Sequence, residues 1–288
     1  MIGIISYLPD DAELRKRRFS GCLETIRFIN QRFPEQEIYC VAQNYKDESF
    51  DNDFVKVEYF DKLGPAGARN KVLERFYNST DKWLYMCDDD VVDYDYYEAK
   101  QFVIDLYNGV FDIDADIIVP LMPELSPFKK KNVENDIEHQ FVLSPLNINS
   151  CPNMMLLRNS DVEIYYDNDI DLSQDNAVSE DLKFLSECIY KGKRLYRLDS
   201  WIKKSLLHNY STIFQNISSK DNNKLHRQLT DNFDSFIKST YKVQSFKEFN
   251  CRYNVIHQKY IVVPRKDNYV LPENLVFKKK TNNRKSLF

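Results

Sequence analysis

The chain lacks the features of a membrane-spanning or exported protein. No apolar stretch in its 288 residues approaches the roughly 20 residues that a membrane-spanning helix needs. Residues 1–8 are apolar, but no basic segment precedes them and no cleavage site follows them. We therefore interpret them as a strand and not as a signal peptide, and we expect a soluble protein with no transmembrane segment.

Cysteine pairs and an excess of positive charge are also missing. The six cysteines have no paired spacing, which argues against a disulfide framework or a zinc site and favours free, buried thiols in a reducing compartment. The net charge of −4 provides no general field that would attract a polyanion. These features predict a cytoplasmic location.

The sequence does have enough apolar residues for a full core, arranged in a β-α-β order. Hydrophobic residues make up 43% of the chain. Strands are predicted at 3–8, 37–42, 54–60 and 83–87, with a helix that ends near Phe33 and another at 64–77. This order predicts an α/β fold with an open, mainly parallel sheet flanked by helices.

The second half of the chain is predicted to be more mixed. Helices are expected at 94–107, 181–190 and 224–241, and strands at 115–120, 153–157 and 194–198. Residues 122–152 have no clear periodicity and contain four prolines, so we expect a long loop there with one added strand at most.

An acidic run follows the fourth predicted strand. Trp83-Leu84-Tyr85-Met86-Cys87 leads without a break into Asp88, Asp89 and Asp90. Carboxylates packed this closely repel one another unless a cation lies among them, and oxygen ligands favour Mg²⁺ or Mn²⁺. The alternative is a solvated acidic loop, but open α/β sheets bind their ligands at this edge, which favours the metal site.

Further candidate residues flank this run. Ala68-Arg69-Asn70 lies in a helix whose first turn offers unpaired amides to an anion. Glu180 and Asp181 open another helix, where carboxylates serve either as proton acceptors or as partners of the helix dipole.

The order of these features resembles the nucleotide-sugar-dependent glycosyltransferases of the GT-A fold, and most closely the large inverting group known as family two. The resemblance covers about residues 1–212. It depends on Pro9 after the first strand, Ala68-Arg69-Asn70, the Asp-x-Asp motif at 88–90, Glu180-Asp181 and a downstream His208. It implies a Rossmann-like GT-A domain with a donor half at about 1–120 and an acceptor half at about 121–212. Residues 213–288 would form a C-terminal helical extension with a basic tail.

The resemblance also implies roles for individual residues. Asp90 and His208 would bind Mn²⁺ or Mg²⁺, Asp181 would be the catalytic base, and Glu180 would contact the acceptor or the sugar. The donor, most simply a UDP-sugar, would be bound by Ser6, Tyr7, Pro9, Arg69, Asp88 and Asp89. From the residues alone, a lone His is more often structural, and Asp171 and Asp175 compete for the role of base.

Two departures from the family pattern bear on the substrates. The second strand ends Val41-Ala42-Gln43-Asn44, where many members have an acidic pair that reads the base, so the identity of the donor stays open. The Gln-x-x-Arg-Trp signature of processive relatives is absent, which indicates the addition of a single sugar.

Three alternatives compete with a glycosyltransferase. Residues 84–91 also fit the haloacid-dehalogenase phosphatase pattern, with Asp88 as nucleophile, but that motif normally follows the first strand. A sugar nucleotidylyltransferase should have a glycine-rich phosphate loop where this chain has Ser6-Tyr7-Leu8-Pro9-Asp10. A non-catalytic sugar-binding module is the third alternative.

Two classes of acceptor are considered. Bacterial proteins of this pattern mostly decorate surface polysaccharides, wall polymers or lipid-linked saccharides. The composition, rich in Asn, Lys, Asp, Ile and Tyr, resembles that of phage proteins, for which hydroxymethylated DNA bases in the host cytoplasm would be the acceptor. We favour DNA slightly, because Lys129, Lys130 and Lys131 lie in the long loop that should overhang the active site.

Overall fold

The structure is a computed structural model that describes residues 1–50, 53–89, 105–110, 112–120, 140–145, 154–168, 178–198, 219–253 and 261–264. Its strands are β1 (Ile2–Tyr7), β2 (Ile38–Gln43), β3 (Val55–Phe60), β4 (Trp83–Asp88), β5 (Ile117–Pro120), β6 (Gln140–Pro145), β7 (Met154–Arg158), β8 (Leu195–Leu198) and β9 (Ile261–Pro264). Its helices are α1 (Ala12–Arg32), α2 (Gly64–Tyr77), α3 (Glu180–Tyr190), α4 (Ser219–Tyr241) and α5 (Phe246–Arg252).

All nine described strands form one sheet, in the order β3-β2-β1-β4-β7-β5-β8-β6-β9. The first four of these positions are occupied by strands that pair in parallel, and β5 and β8 also pair in parallel. Strands β7 and β6 are antiparallel to both of their neighbours. Seven of the nine described strands therefore run in one direction, which confirms the predicted α/β class with a mainly parallel sheet flanked by helices.

The alternation of side chains along β1 explains how the two faces of the sheet are covered. Ile2 and Ile4 lie in a core with α1, whereas Ile5 lies in a second core with α2. Gly3 faces α2 so closely that a Cβ atom at this position would lie 2.2 Å from Val72 Cγ1. The missing side chain thus lets α2 pack directly on β1, which fixes the height of α2 over the sheet.

The later helices extend the core on the α2 face. Buried Phe184 of α3, Phe233 and Ile237 of α4 and Phe249 of α5 belong to the same cluster as the α2 side chains. Strand β9 pairs with β6 at the edge of the sheet. Residues from the predicted C-terminal extension thus contribute to the core and to the sheet.

Most predicted elements match the structure to within a few residues. Helix α1 begins earlier than its apolar pattern suggested because Asp11 caps it, accepting a hydrogen bond from the Leu14 amide at 2.8 Å. Strand β6 lies in the predicted long loop. Of the helix predicted at 94–107, only 105–107 fall within the described residues, and these are helical.

Four of the five described cysteines follow the prediction, and Cys151 lies outside the described residues. Cys22, Cys40, Cys87 and Cys188 are buried and unbridged, but Cys251 is exposed, so the prediction of a buried thiol was wrong there. It lies in the last turn of the short helix α5, whose buried side is occupied by Phe249. Across the described residues, no helix is both long enough and apolar enough to cross a membrane.

Candidate active site

The candidate site lies where β4 ends and α3 begins. Parallel strands β1, β2, β3 and β4 present their carboxyl ends at one edge of the sheet, which is where open α/β sheets bind ligands. Asp88 is the last residue of β4, and Glu180 and Asp181 form the first turn of α3. Helix α2 supplies Arg69, which reaches all three of these acidic residues.

The Arg69 guanidinium is the centre of this arrangement. Its Nη2 donates to Asp88 Oδ1 at 3.3 Å, and its Nη1 lies 3.2 Å from both Glu180 Oε1 and Asp181 Oδ1. Burial would lower the pKa of Arg69, but the nearby Asp181, Asp88 and Glu180 hold that pKa well above its ordinary value. Arg69 is therefore a permanent buried cation that joins β4 to α3.

The three carboxylates around Arg69 differ in exposure. The Asp88 side chain is 25% exposed, whereas that of Asp181 is 8% exposed. Among these three acids, Asp88 is therefore the one that a ligand reaches most easily.

The acidic side chains in the first turn of α3 interact both with Arg69 and with the dipole of their own helix. Ser179 is the N-cap residue, but its side chain makes no capping hydrogen bond, and both acids that follow it contact Arg69. Negative side chains at this position also interact favourably with the helix dipole. The capping interpretation and the binding interpretation are therefore compatible.

The Arg69 guanidinium lies over the ring of Tyr166. Its ring stacks on Phe184 with centroids 4.1 Å apart and planes 3° apart, and the Arg69 guanidinium lies 5.3 Å from the ring centroid. Asn70 fixes the backbone here: its Nδ2 donates to Tyr166 O at 2.9 Å, and Tyr166 N donates to Asn70 Oδ1 at 2.7 Å. Arg69 and Asn70 thus act together, one on the Tyr166 ring and the other on the Tyr166 backbone.

The Tyr166 hydroxyl has no hydrogen-bond partner among the described residues, although it is fully buried. A buried hydroxyl without a partner loses its bonds to water and costs about 1–3 kcal/mol. We therefore expect Tyr166→Phe to unfold at the same temperature as the wild type or at a higher one, since the stacking on Phe184 is kept. Thermal unfolding followed by circular dichroism measures this. A clear decrease in Tm would mean that the hydroxyl makes a stabilising bond.

Asp89 points to the other face of the sheet from Asp88. Its Oδ1 accepts from Arg18 Nη2 at 2.7 Å and its Oδ2 accepts from Ser6 Oγ. Its side chain is only 2% exposed, against 25% for Asp88. The two acids therefore have different surroundings, and the first two carboxylates of the acidic run do not converge on one point.

The loops beside β1 and β2 are held together by Arg15 and Asn44. Arg15 Nη1 donates to Pro9 O at 3.2 Å and Arg15 Nη2 donates to Asn44 O at 2.6 Å. Asn44 has a positive φ of 64° and donates to Leu8 O at 2.7 Å. The buried Pro9 and the half-buried Tyr7 thus lie in a segment that these hydrogen bonds hold in place. The donor was predicted to bind at this edge of the sheet.

Gln43 and Asn44, at the end of β2, have structural contacts. Gln43 Oε1 accepts from the Leu63 amide at 2.9 Å, directly before α2. Asn44 Nδ2 also donates to Asp10 Oδ1 at 2.9 Å. These two side chains connect β2 to the loops on either side of it.

Several predicted site residues lie outside the described residues: Asp90, His208, Asp171, Asp175, Lys129, Lys130 and Lys131. In the part of the chain that is described, no three His, Cys, Asp or Glu side chains are arranged to hold a metal ion. The metal site predicted at Asp90 and His208 stays a prediction.

Sequence reasoning missed three residues that shape the site: Arg18, Thr25 and Tyr166. Arg18 lies in the basic run Arg15-Lys16-Arg17-Arg18, whose pairing with distant acids has no local signal. The alternation of β4 could have shown that Asp89 faces α1, since Tyr85 and Cys87 share its side of the strand.

Comparisons with known proteins give similarity of structure only. No protein-family model matches the chain, and no curated protein matches it either. A candidate nucleotide-diphospho-sugar transferase from Desulfovibrio desulfuricans is 10% identical, with a TM-score of 0.41, over 79% of this chain and 97% of that one. A mannosyltransferase from Pyrobaculum calidifontis, solved with GDP-Man and Mn²⁺, is 10% identical with a TM-score of 0.41, over 87% and 78%.

A third similar structure is a candidate glucose-1-phosphate thymidylyltransferase from Bacillus anthracis, solved with sucrose. It is 10% identical with a TM-score of 0.40, over 81% of this chain and 98% of that one. At such identities and TM-scores, these similarities assign neither a family nor an activity to this chain.

Proposed function

We propose that this protein is a metal-dependent, inverting glycosyltransferase that moves one sugar from a nucleotide-sugar donor to an acceptor hydroxyl. The observation that carries the proposal is the contact of Arg69 with both Asp88 and the Glu180-Asp181 pair. Asp88 and this pair are more than 90 residues apart in the sequence, and Arg69 joins them at the ligand-binding edge of the sheet.

The Arg69 cluster consists of Arg69, Asp88, Glu180 and Asp181. Its acids on α3 would serve the acceptor, and Asp88 would serve the donor. Asp181 would take the proton from the acceptor hydroxyl as its oxygen bonds to the anomeric carbon. The bond from that carbon to the diphosphate oxygen breaks with the electron pair leaving on the nucleotide. Glu180 would orient the acceptor or the sugar. Because attack and departure occur on opposite faces, the anomeric configuration inverts.

The donor would bind along the edge formed by the β1–α1 loop and Asp88. Tyr7, Pro9 and Asp88 would contact the nucleotide, and Arg69 would act through Asp88. A UDP-sugar is the donor we propose. Ser6 and Asp89 belong to the same group of predicted donor residues, and their contact with each other is considered further below.

A divalent cation would lie next to Asp88, the most exposed of the three carboxylates around Arg69. Asp90 and His208 would hold Mn²⁺ or Mg²⁺. When bound, such an ion supplies positive charge that offsets the charge developing on a leaving diphosphate.

The test of the proposal is an assay of the purified protein with UDP-, GDP- and CMP-sugars in the presence of Mn²⁺. We expect the release of nucleotide to require one donor and to stop in excess chelator. Full activity in chelator would contradict the metal claim, and a product with the anomeric configuration of the donor would contradict inversion. Formation of a nucleotide sugar from nucleoside triphosphate and sugar 1-phosphate would identify a nucleotidyltransferase instead.

For the acceptor, we propose hydroxymethylated bases in DNA, supported by the lysines at 129–131 in an otherwise acidic chain. Incubation with radiolabelled donor should label DNA that contains hydroxymethylated bases and leave unmodified DNA unlabelled. Labelling of a glycan or lipid-linked acceptor instead of DNA would replace this proposal with surface or wall polysaccharide synthesis. Neither outcome changes the roles of the residues around Arg69.

A further inference from the structure

The acidic run is anchored to α1 through its middle residue. Both carboxylate oxygens of Asp89 have partners: Oδ1 accepts from Arg18 Nη2 at 2.7 Å, and Oδ2 accepts from Ser6 Oγ. The backbone is held as well, because Thr25 Oγ1 donates to Asp89 O at 2.9 Å. Contacts from β1 and from two turns of α1 thus meet at one residue.

These contacts hold the residue that lies between Asp88 and Asp90 in the sequence. The carbonyl that Thr25 holds belongs to the peptide that joins Asp89 to Asp90, and Asp88 precedes the anchored residue directly. Rotation of that peptide would move both neighbouring acids. The contacts to Arg18, Ser6 and Thr25 therefore restrict the side chain and the carbonyl of Asp89, directly after Asp88 at the end of β4.

Asp89 and its partners Arg18 and Ser6 are also too deeply buried to contact a ligand directly. The Asp89 side chain is 2% exposed and that of Arg18 is 12% exposed, while Ser6 is buried. Ser6 Oγ additionally contacts the buried Tyr45 hydroxyl, and burial raises the pKa of Tyr45 far above its ordinary value, so that this group stays neutral. A charged donor would have to displace buried partners to reach Asp89.

We propose that Asp89 anchors the acidic run, and that Arg18 and Thr25 are positioning residues for donor binding that act through Asp89. This inference rests on the proposed function, since it keeps Asp88 as a donor contact and removes Ser6 and Asp89 from the donor residues. Groups that orient a binding residue without touching the ligand typically change affinity about 10–100-fold when they are removed.

A double-mutant cycle tests the anchor. The variants are Arg18→Met, Asp89→Asn and the two combined, and the probe is UDP with Mn²⁺, titrated by calorimetry. We expect Arg18→Met to weaken UDP binding about tenfold or more, and Arg18→Lys to recover part of the loss. The double variant should bind UDP no more weakly than Asp89→Asn alone, because Arg18 acts only through Asp89.

Arg17→Met is the matched control, because Arg17 lies next to Arg18 on α1 and pairs with the exposed Glu13 on the same helix. It should bind UDP as the wild type does. If Arg18→Met does not fold, Thr25→Val removes only the hydrogen bond to the Asp89 carbonyl. It should weaken UDP binding several-fold at a temperature at which circular dichroism shows that the variant is folded.

The results distinguish this inference from the proposed function. If the wild type binds UDP with Mn²⁺ and the losses in Arg18→Met and Asp89→Asn multiply, Arg18 and Asp89 act independently and the anchor is wrong. If the variants lose stability but bind UDP normally once folded, their role is structural only and the inference also fails. A wild type that binds no nucleotide overturns the proposed function itself, together with the positioning role.

Discussion

Asp181→Asn should lower the rate of sugar transfer by at least about a hundredfold, the usual scale for the loss of a positioned general base. Asn has the shape of Asp, so it fits the same space beside Arg69 Nη1, which lies 3.2 Å from Asp181 Oδ1. It cannot accept the proton of the acceptor hydroxyl. Donor affinity should therefore change little, because Arg69 keeps its contacts with Asp88 and Glu180.

Single-turnover transfer and calorimetric binding of the donor, measured on the same sample, separate the two effects. Glu187→Gln is the matched control: it makes the same chemical change on the same helix, at a residue that pairs with Lys191 and accepts from the Tyr241 hydroxyl at 3.2 Å. Its rate should equal that of the wild type. An unchanged rate in Asp181→Asn would exclude this residue as base and leave Asp171 and Asp175 to be tested.

The outline of the fold could be predicted because it depends on local signals. The apolar runs of β1, β2 and β4 are strands buried on both faces, and each is followed by residues that end a strand or begin a helix. The pairing of β6 with β9 could not be predicted in this way. It joins segments about 120 residues apart, and no sequence pattern specifies which distant strands will meet.

In the candidate site too, short motifs could be recognised in the sequence, but contacts between residues far apart in the sequence could not be predicted. Asp88, Glu180, Asp181 and Arg69 could be named individually because each belongs to a short motif with a chemical purpose. That one guanidinium binds all three acids depends on the packing of α2, β4 and α3, which a motif does not contain. The stack of Tyr166 on Phe184 has the same origin, since 18 residues separate the two rings.

The Arg69 cluster is also expected to be the most sensitive part of the fold. Buried charges are costly, and a buried pair that loses one partner leaves the other charge uncompensated in a medium that solvates it poorly. Arg69 offsets three carboxylates at once, of which Asp181 is the most deeply buried. Its side chain also covers the Tyr166 ring.

Arg69→Met should therefore destabilise the protein by about 3–5 kcal/mol, the typical cost of removing one partner from a buried ion pair. Methionine fills a similar volume, so the loss reflects charge more than packing. Urea unfolding followed by tryptophan fluorescence measures the change in the free energy of unfolding.

Arg75→Met provides the comparison, because Arg75 lies on the same helix and pairs with Glu37, whose pKa is lowered by Lys56 and Arg75 despite its partial burial. Both partners are partly exposed, so this variant should lose no more than about 1 kcal/mol. The loss in the free energy of unfolding should shrink at low pH for this variant, because protonation of Glu37 ends its pairing with Arg75 in the wild type. Equal losses in the two variants at neutral pH would contradict the central role of Arg69. A large loss in Arg69→Met alone, together with lost donor binding, would show that one buried cation both holds β4 to α3 and prepares the carboxylates for the ligand.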